Sequence, residues 1–333
     1  MDDERREFAG VLRRFFEERS AADEVRRLMV SADGHDPGMW RRMAGMGLLE
    51  LELPELAVVF EEMGRALVCA PFLSTVMGLA ALRACGEEEL ASRVQDGSAL
   101  VTLAWDEGGA WDLGAVGMLG GTRLRGTKNY VLDGHLADVL LVVALDGDEP
   151  ALYAVEGAGV RRIRLTTLDQ TRRLAHLEFD GAPARRIGDA DAVRRALEVG
   201  MVCLAAEQLG GAQRVLEMAV EYAKVRHQFG RPIGGFQAIK HKCADMFVQV
   251  ESARSVVLRA ASDLSAAPWA APLAQAFCSD AYFFCAAENI QIHGGIGFTW
   301  EHDAHLYFKR AKSSQELFGP PALHRARLAG MMS

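Results

Sequence analysis

The sequence contains the stretch Lys224-Val225-Arg226-His227-Gln228-Phe229-Gly230-Arg231-Pro232-Ile233-Gly234-Gly235-Phe236-Gln237, which is followed by Ala244-Asp245-Met246. An arginine suits a pyrophosphate because its planar guanidinium donates paired, charge-assisted hydrogen bonds. Glycine lets the backbone approach phosphate groups, and glutamine offers a donor and an acceptor to a ribose or an adenine. An isolated Arg-x-x-Phe-Gly would fit a helix end and a solvated turn equally well. The full stretch predicts a binding element for a nucleotide cofactor.

A second element follows, Gln291-Ile292-His293-Gly294-Gly295-Ile296-Gly297-Phe298. Alone, its Gly-Gly-x-Gly indicates only a helix end. Together, the two elements resemble the signature of the acyl-CoA dehydrogenase family, which uses FAD to desaturate acyl-CoA thioesters. In that family both elements contact the adenosine diphosphate part of an FAD whose flavin ring lies in the neighbouring subunit. The resemblance implies FAD contacts across a subunit interface from the following residues: Arg226, Gln228, Phe229, Phe236, Gln237, Gln291, Ile292, Gly294 and Gly295.

The pattern of the chain changes twice. Residues 1–96 predict an α-helical domain with helices at Glu4–Glu18, Pro37–Met46, Glu55–Leu67 and Leu73–Ala84. Residues 97–187 predict a β-sandwich or barrel from short apolar runs at Ala99–Trp105, Arg123–Leu132, Val139–Ala144, Ala151–Val155, Val160–Leu165 and Leu174–Phe179. Residues 188–333 carry long apolar stripes, which predict a four-helix bundle. This α+β order matches the acyl-CoA dehydrogenase architecture over essentially the whole chain.

Composition limits the partners. The chain has 37 basic and 45 acidic residues, a formal net charge of -8, which argues against nucleic acid as the main partner. No apolar run is long enough for a membrane span and the charged N-terminus does not resemble a secretory signal, so we expect a cytoplasmic protein. The six cysteines form no Cys-x-x-Cys pair, and His302 and His305 lack further ligands at suitable spacing. We therefore expect no metal site.

The family's catalytic base is missing from its usual position. Arg310–Pro320 aligns with a family segment that ends in Glu-Gly-Thr, and Phe318 falls where the glutamate should be. The family reaction needs a carboxylate to remove the α-proton while hydride leaves the β-carbon, and phenylalanine cannot accept a proton. Losing a general base typically costs about 10²–10⁴ in rate.

A second base position offers no carboxylate either. Some family members place the base on the first long helix of the C-terminal domain, and the matching residue here is Gly200. Glu198 and Glu316 each lie two residues from one of the two base positions. They are weak candidates, because a two-residue offset turns a helical side chain by about 200°.

The middle region keeps only part of the family pattern. Gly126–Val131 resembles the Gly-Thr-Lys-x-Trp-Ile strand whose aromatic lies near the flavin, so Tyr130 lies either there or packed within the sheet. Leu103–Asp112 matches the family's Thr-Glu-Pro-x-x-Gly-Ser-Asp loop poorly, so we do not expect flavin in this subunit's own pocket. Gly47–Pro54 runs straight into the next helix, where the family has a glycine-rich loop that is here deleted or omitted from the sequence.

The leading hypothesis is a non-catalytic subunit that completes a partner's FAD site. The chain resembles the short subunits of α2β2 bacterial enzymes that shorten steroid side chains, where a glutamate-bearing homologue carries the base. The resemblance implies an acyl-CoA substrate and an electron-transfer flavoprotein or a similar acceptor. Alternatives are a self-oligomer acting as a stand-alone acyl-CoA dehydrogenase with a relocated carboxylate, a flavin monooxygenase on the same fold, and a structural protein without flavin contact.

Overall fold

A computed structural model describes residues 3–264 and 266–332 and shows helices, two small sheets and helices again, which confirms the predicted fold class. The first helices are α1 (Asp3–Arg19), α2 (Ala22–Val30), α3 (Pro37–Gly45), α4 (Leu53–Arg65), α5 (Phe72–Ala84) and α6 (Glu88–Gln95). The strands are β1 (Val101–Ala104), β2 (Arg123–Leu132), β3 (Val139–Asp146), β4 (Glu149–Val155), β5 (Val160–Arg164), β6 (Leu174–Pro183) and β7 (Arg185–Asp189). Then follow α7 (Ala190–Val225), β8 (His227–Gln228), β9 (Arg231–Pro232), α8 (Gln237–Ser262), α9 (Ala270–His293), α10 (Ala304–Glu316) and α11 (Pro321–Met332).

Helices α2 and α6 and strand β7 were not predicted. Helices α2 and α6 are short and charged, with nine and eight residues, and each carries one narrow apolar stripe. Strand β7 pairs only with β4 at the end of its sheet, and none of its residues is fully buried. An edge strand of this kind carries no apolar alternation that the sequence could reveal.

The middle region is a sandwich rather than a barrel. One sheet has the order β1-β3-β4-β7, in which β1 and β3 are parallel, and the other has the antiparallel order β2-β6-β5. A shared core lies between the sheets, with Val142 and Tyr153 from the first and Leu124 and Leu177 from the second. Strand β3 is buried along most of its length, which explains its unbroken apolar run.

The chain forms two compact units. One comprises the described parts of Met1–Arg26, Glu52–Val68 and Met201–Ser333, and the other comprises Arg27–Leu51 and Cys69–Gly200. The first contains most of the long helices, and α11 packs beside α9 in addition to the predicted four. The second contains both sheets with α3, α5 and α6. The division into 1–96, 97–187 and 188–333 stays a prediction.

Helices α4 and α7 cross at two glycines in the first unit. A Cβ atom at Gly64 would lie 1.9 Å from the carbonyl oxygen of Glu207, and one at Gly210 would lie 1.8 Å from that of Glu61. Both contacts are with backbone, which cannot move as a side chain can. Glu207 of α7 also forms a buried ion pair with helix α10, in which Arg310 Nε donates to Glu207 Oε1 at 2.8 Å. The two glycines therefore set the distance between α4 and α7.

Gly64→Ala is expected to destabilise the protein by about 1–3 kcal/mol, because an added methyl group forces the two backbones apart. Gly10→Ala in α1 is the matched control, since no atom lies within 4 Å of its added Cβ. Removing a glycine from a helix should stabilise it by about 0.5–1 kcal/mol. Chemical denaturation of both variants measures the difference. Equal stability of the two variants would contradict the close crossing.

Candidate functional site

The Arg226 segment forms a tight hairpin directly after helix α7. Strands β8 and β9 pair through His227–Pro232 and Gln228–Arg231, and the two turn residues, Phe229 and Gly230, have φ of 53° and 76°. Two positive φ values are what the type I′ hairpin turn requires. Glycine adopts this conformation freely, whereas at Phe229 it stores strain of about 1 kcal/mol or more. Such strain is common where a side chain is held for a ligand or a partner.

The hairpin presents its predicted contact residues to the outside. Phe229 is 91% exposed, and Arg226, Gln228 and Gln237 are also exposed. Within the part of the chain that the structure describes, the Arg226 side chain has no hydrogen bond or ion pair. Phe236 begins helix α8, and the Arg231 guanidinium lies 4.2 Å from the centre of its ring. A free arginine beside an open backbone turn is suited to an anionic ligand.

The Gln291 segment ends helix α9. Gly294 has φ of 65° and donates its backbone N–H to the carbonyl of Ile290, and the chain then continues as a short 3-10 turn. Gln291, Gly294 and Gly295 are exposed. Ile292 is 5% exposed and its side chain belongs to the core, so the FAD contact of Ile292 stays a prediction that concerns its backbone. Only its backbone is left for a ligand.

The fold brings the two elements together. The ring of Tyr222, in the last turn of α7, stacks on the ring of His293 with centroids 4.3 Å apart. Tyr222 precedes Arg226 by one helical turn, and His293 directly precedes Gly294. Segments 65 residues apart in sequence, counted from Arg226 to Gln291, thereby form one exposed surface.

The residues present fit the diphosphate end of FAD. No atom lies within 4 Å of a Cβ built at Gly230, Gly294 or Gly295, so the backbone there is open to close approach. Arg226 supplies an unpaired guanidinium that can bind a phosphate. Gln291 and Gln237 supply side-chain amides, each of which can donate and accept hydrogen bonds. We describe these residues as the cofactor surface: Arg226, Gln228, Phe229, Phe236, Gln237, Gln291, Gly294 and Gly295. The assignment stays a prediction.

The first base position is closed by packing. Phe318 follows helix α10, has φ of 65° and is 3% exposed. Gln275 donates hydrogen bonds to the carbonyls of Ser314 and Leu317 at 3.2 and 3.0 Å, and it accepts one from Gln208 at 3.3 Å. These buried amides fix the turn that holds Phe318. The side chain at this position faces the interior of its own unit.

The second base position is also closed. A Cβ at Gly200 would lie 2.8 Å from the Sδ atom and 2.9 Å from the Cγ atom of Met77 in helix α5. A carboxylate there would have to displace Met77. A larger side chain at position 200 would therefore need the flexible end of Met77 to move.

Glu198 and Glu316, the carboxylates near the two base positions, lie in different surroundings. Burial raises the pKa of Glu198, with Arg195 and Arg194 acting in the opposite direction. A raised pKa is one property of a general base. Glu316 is exposed and forms an ion pair with Lys312 at 2.5 Å, as a solvated helix end does.

The middle region carries an aromatic stack that was not predicted. Tyr130 lies in a bulge of β2 between Lys128 and Val131, with φ of 53°, and is 43% exposed, so it is not packed within the sheet. The ring of Trp111 lies 5.9 Å from that of Tyr130 and 5.6 Å from that of Trp105. The protein's own tryptophan therefore covers the aromatic residue that the family resemblance places near a flavin.

The loop that carries Trp111 satisfies its own polar groups. Asp106 accepts hydrogen bonds from the backbone of Gly109 at 2.5 Å and of Trp111 at 2.9 Å. The buried Lys128 donates to Glu107 at 2.6 Å. Burial pushes the pKa of Glu107 upward, but the hydrogen bond and charge of Lys128 and the backbone hydrogen bonds from Gly117 and Met118 together lower it. The loop is thus a compact, closed structure.

The predicted gap in the N-terminal region is a short turn. The chain runs without interruption from Gly45 to Leu53, and Gly47, with φ of 72°, accepts a hydrogen bond from the backbone of Glu50 at 3.0 Å. Gly47–Pro54 therefore forms a short turn at the place where the resemblance implies a glycine-rich loop.

The described residues contain no candidate membrane span and no candidate metal cluster. Among residues 3–264 and 266–332, no helix is long and apolar enough to cross a bilayer. In the same residues, histidine, cysteine and carboxylate side chains form no cluster of three or more that would hold a metal ion.

Comparisons with known proteins agree with the geometry. Residues 190–332 match the family model described as acyl-CoA dehydrogenase, C-terminal domain. The acyl-CoA dehydrogenase IpdE2 of Mycolicibacterium smegmatis is 35% identical over 98% of this chain and 98% of its own length. The structure called Tcur3481-Tcur3483 steroid ACAD G363A variant superimposes with a TM-score of 0.92 at 30% identity, covering 99% of this chain and 98% of that one. The ChsE4-ChsE5 complex from Mycobacterium tuberculosis gives a TM-score of 0.88 at 26% identity, covering 100% and 98%.

Proposed function

Because this chain belongs to the acyl-CoA dehydrogenase family, we propose that it is the base-lacking subunit of an FAD-dependent acyl-CoA dehydrogenase. Its role is to complete the FAD site of a glutamate-bearing homologue in an α2β2 complex. The partner then carries out the α,β-desaturation of the acyl-CoA thioester. Electrons leave to an electron-transfer flavoprotein or a similar acceptor.

One contrast carries the proposal. The residues that reach a neighbouring subunit's FAD are exposed, whereas both positions for the base are buried or sterically filled. The stack of Trp111 on Tyr130 and the short turn at Gly47–Pro54 also argue against a complete pocket in this subunit. A subunit that is active by itself needs both the cofactor surface and a catalytic base, and this chain keeps only the cofactor surface.

The heteromeric assembly and the steroid substrate class draw support from the similar structures. One is named as a steroid acyl-CoA dehydrogenase formed by a pair of proteins, and another as a two-protein complex. We extend both properties to this chain. A steroid side chain attached to CoA is thus the substrate class that we propose.

The chemistry divides between cofactor and protein. FAD, when bound, accepts the hydride from the β-carbon. In this chain, Arg226 would hold the pyrophosphate, and the backbone at Gly294 and Gly295 would permit its close approach. Gln237 and Gln291 would orient the ribose and adenine. All proton transfer to a carboxylate would take place in the partner.

FAD stoichiometry tests the proposal. Co-expression with a glutamate-bearing homologue should give a yellow heterotetramer with about half the FAD expected for a four-site homotetramer. Purified alone, this chain should hold little FAD and show no acyl-CoA turnover. Full FAD occupancy together with desaturation by this chain alone would refute the proposal.

Arg226→Ala should weaken FAD binding by the complex by about 10- to 100-fold, because a charge-assisted hydrogen bond contributes about 1.5–3 kcal/mol. Arg14→Ala on helix α1 is the control, since Arg14 is equally exposed and lies far from the cofactor surface in sequence. FAD retention during gel filtration and equilibrium titration measures the effect. Unchanged FAD content in Arg226→Ala would favour a purely structural subunit.

The raised pKa of Glu198 favours one second candidate, a stand-alone dehydrogenase with a relocated base. In that case the purified chain turns over acyl-CoA, and Glu198→Gln abolishes the activity. Lack of turnover by the wild-type chain excludes it.

A further inference from the structure

Three aromatic rings form a column behind the cofactor surface. The ring of His293 lies 4.3 Å from the ring of Tyr222 at an interplanar angle of 24°, and 4.5 Å from the ring of His302. His293 is buried, and its Nδ1 atom lies 2.9 Å from the carbonyl oxygen of Asn289. Because a carbonyl only accepts, Nδ1 carries the proton, and this hydrogen bond fixes the plane of the ring. The column is therefore a rigid part of the fold.

The column joins the two halves of the cofactor surface. The backbone N–H of Arg226 donates to the carbonyl of Tyr222 at 2.9 Å, so Arg226 extends directly from the residue that carries one ring. Gly294 follows the residue that carries the other. The turn after it folds back closely, since a Cβ at Gly297 would lie 2.9 Å from the Cβ of His293. A shift of either ring would move the guanidinium relative to the open glycines.

We propose that His293 is a positioning residue for FAD, whose stack on Tyr222 fixes the distance between Arg226 and the Gly294–Gly295 backbone. The inference rests on the proposed function, because it concerns the same FAD. His293 itself touches no ligand, since it is buried behind the surface. His293 holds the two segments in place before FAD binds, so that binding does not have to order them.

Conservative replacements test the stack. His293→Leu keeps an apolar side chain of similar size but removes the ring, and FAD should leave the complex about three- to tenfold faster. His293→Phe keeps an aromatic ring against Tyr222 and should retain FAD nearly as the wild type does. Tyr222→Leu should match His293→Leu. The double leucine variant should lose no more than either single one, because both remove the same contact.

A control separates positioning from general destabilisation. Phe308→Leu removes another aromatic pair of the same unit, in which the rings of Phe283 and Phe308 lie 5.2 Å apart. It should lower the unfolding temperature without changing the FAD dissociation rate. Circular dichroism at the temperature of the rate measurement establishes that each variant is folded. If His293→Leu is not folded, Tyr222→Leu compared with Phe308→Leu still decides, because only Tyr222→Leu removes the stack on His293.

The possible failures are distinguishable. If the wild-type complex holds FAD and Arg226→Ala releases it, but His293→Leu retains it at the wild-type rate, then only the positioning role is wrong. Additive losses in the double variant would also overturn that role. If the wild-type complex holds no FAD, the proposed function and this inference fail together.

Discussion

Replacing Phe318 with glutamate is expected to restore no desaturation and to destabilise the protein by roughly 3–5 kcal/mol. The aromatic ring is 3% exposed, so its loss leaves a poorly filled site. The new carboxylate would have to be buried, and it would either remain protonated or disrupt the packing. In neither state is it an accessible base. Acyl-CoA turnover and denaturant unfolding of the purified variant measure the two effects.

Phe318→Leu is the matched control. It keeps an apolar side chain at the same left-handed backbone position, and it should cost only about 1–2 kcal/mol. A Phe318→Glu variant that is as stable as Phe318→Leu and desaturates acyl-CoA would show that the position opens onto a substrate pocket. That result would overturn the description of this position as closed, although the wild-type chain would still carry no carboxylate there.

The expectation depends on how the turn at Phe318 is held. Phe318 and Gly319 have φ of 65° and 103°, and the carbonyl just before them accepts a hydrogen bond from the buried Gln275. A non-glycine residue persists in this conformation only where its surroundings fix it. At the other base position, Met77 fills the space next to Gly200. Two independent packing arrangements therefore close the two places where this family's base is expected.

The sequence predicted the parts of the site that depend on local backbone geometry. The Phe229-Gly230 turn and the helix end at Gly294 need glycine for steric reasons, and such requirements remain visible in a single sequence. Strands β3 and β4 were predicted near their observed bounds because burial imposes apolar runs on them. The missing carboxylate at Phe318 was also predictable, because it concerns only which residue stands at that position.

The parts that depend on distant contacts were not predicted. The burial of Ile292 follows from how α9 packs, and the motif around it gives no sign of that. The stack of Tyr222 on His293 joins residues far apart in sequence, and neither has a distinctive neighbourhood. Trp111 contacts Tyr130 from a loop, where no periodic pattern predicts which residues meet, and the tryptophan itself was the only signal in the sequence.

Acidification is expected to destabilise the protein through His324, by roughly 3 kcal/mol between pH 6.5 and pH 4. His324 lies in helix α11 and is fully buried. Burial lowers its pKa from 6.5 to about 4, Arg327 lowers it further, and the backbone of Gly319 and Phe318 acts in the opposite direction. The folded state therefore prefers the neutral ring. Its stabilising effect is complete above pH 6.5 and is lost as the pH falls towards 4, because the unfolded chain then binds a proton that the folded chain refuses.

His324→Phe isolates this contribution. Burial also lowers the pKa of His135, His293 and His305, so the wild-type protein should lose stability in acid at several sites. The phenylalanine variant keeps a buried ring without a titrating group, and its free energy of unfolding should fall less steeply between pH 6.5 and pH 4. His241→Gln, at an exposed position in helix α8, should leave the slope unchanged. Parallel pH profiles for the wild type and His324→Phe would mean that His324 is protonated in the folded state. A buried charge would then lie beside the backbone of Phe318 and Gly319, where the present argument places a neutral ring.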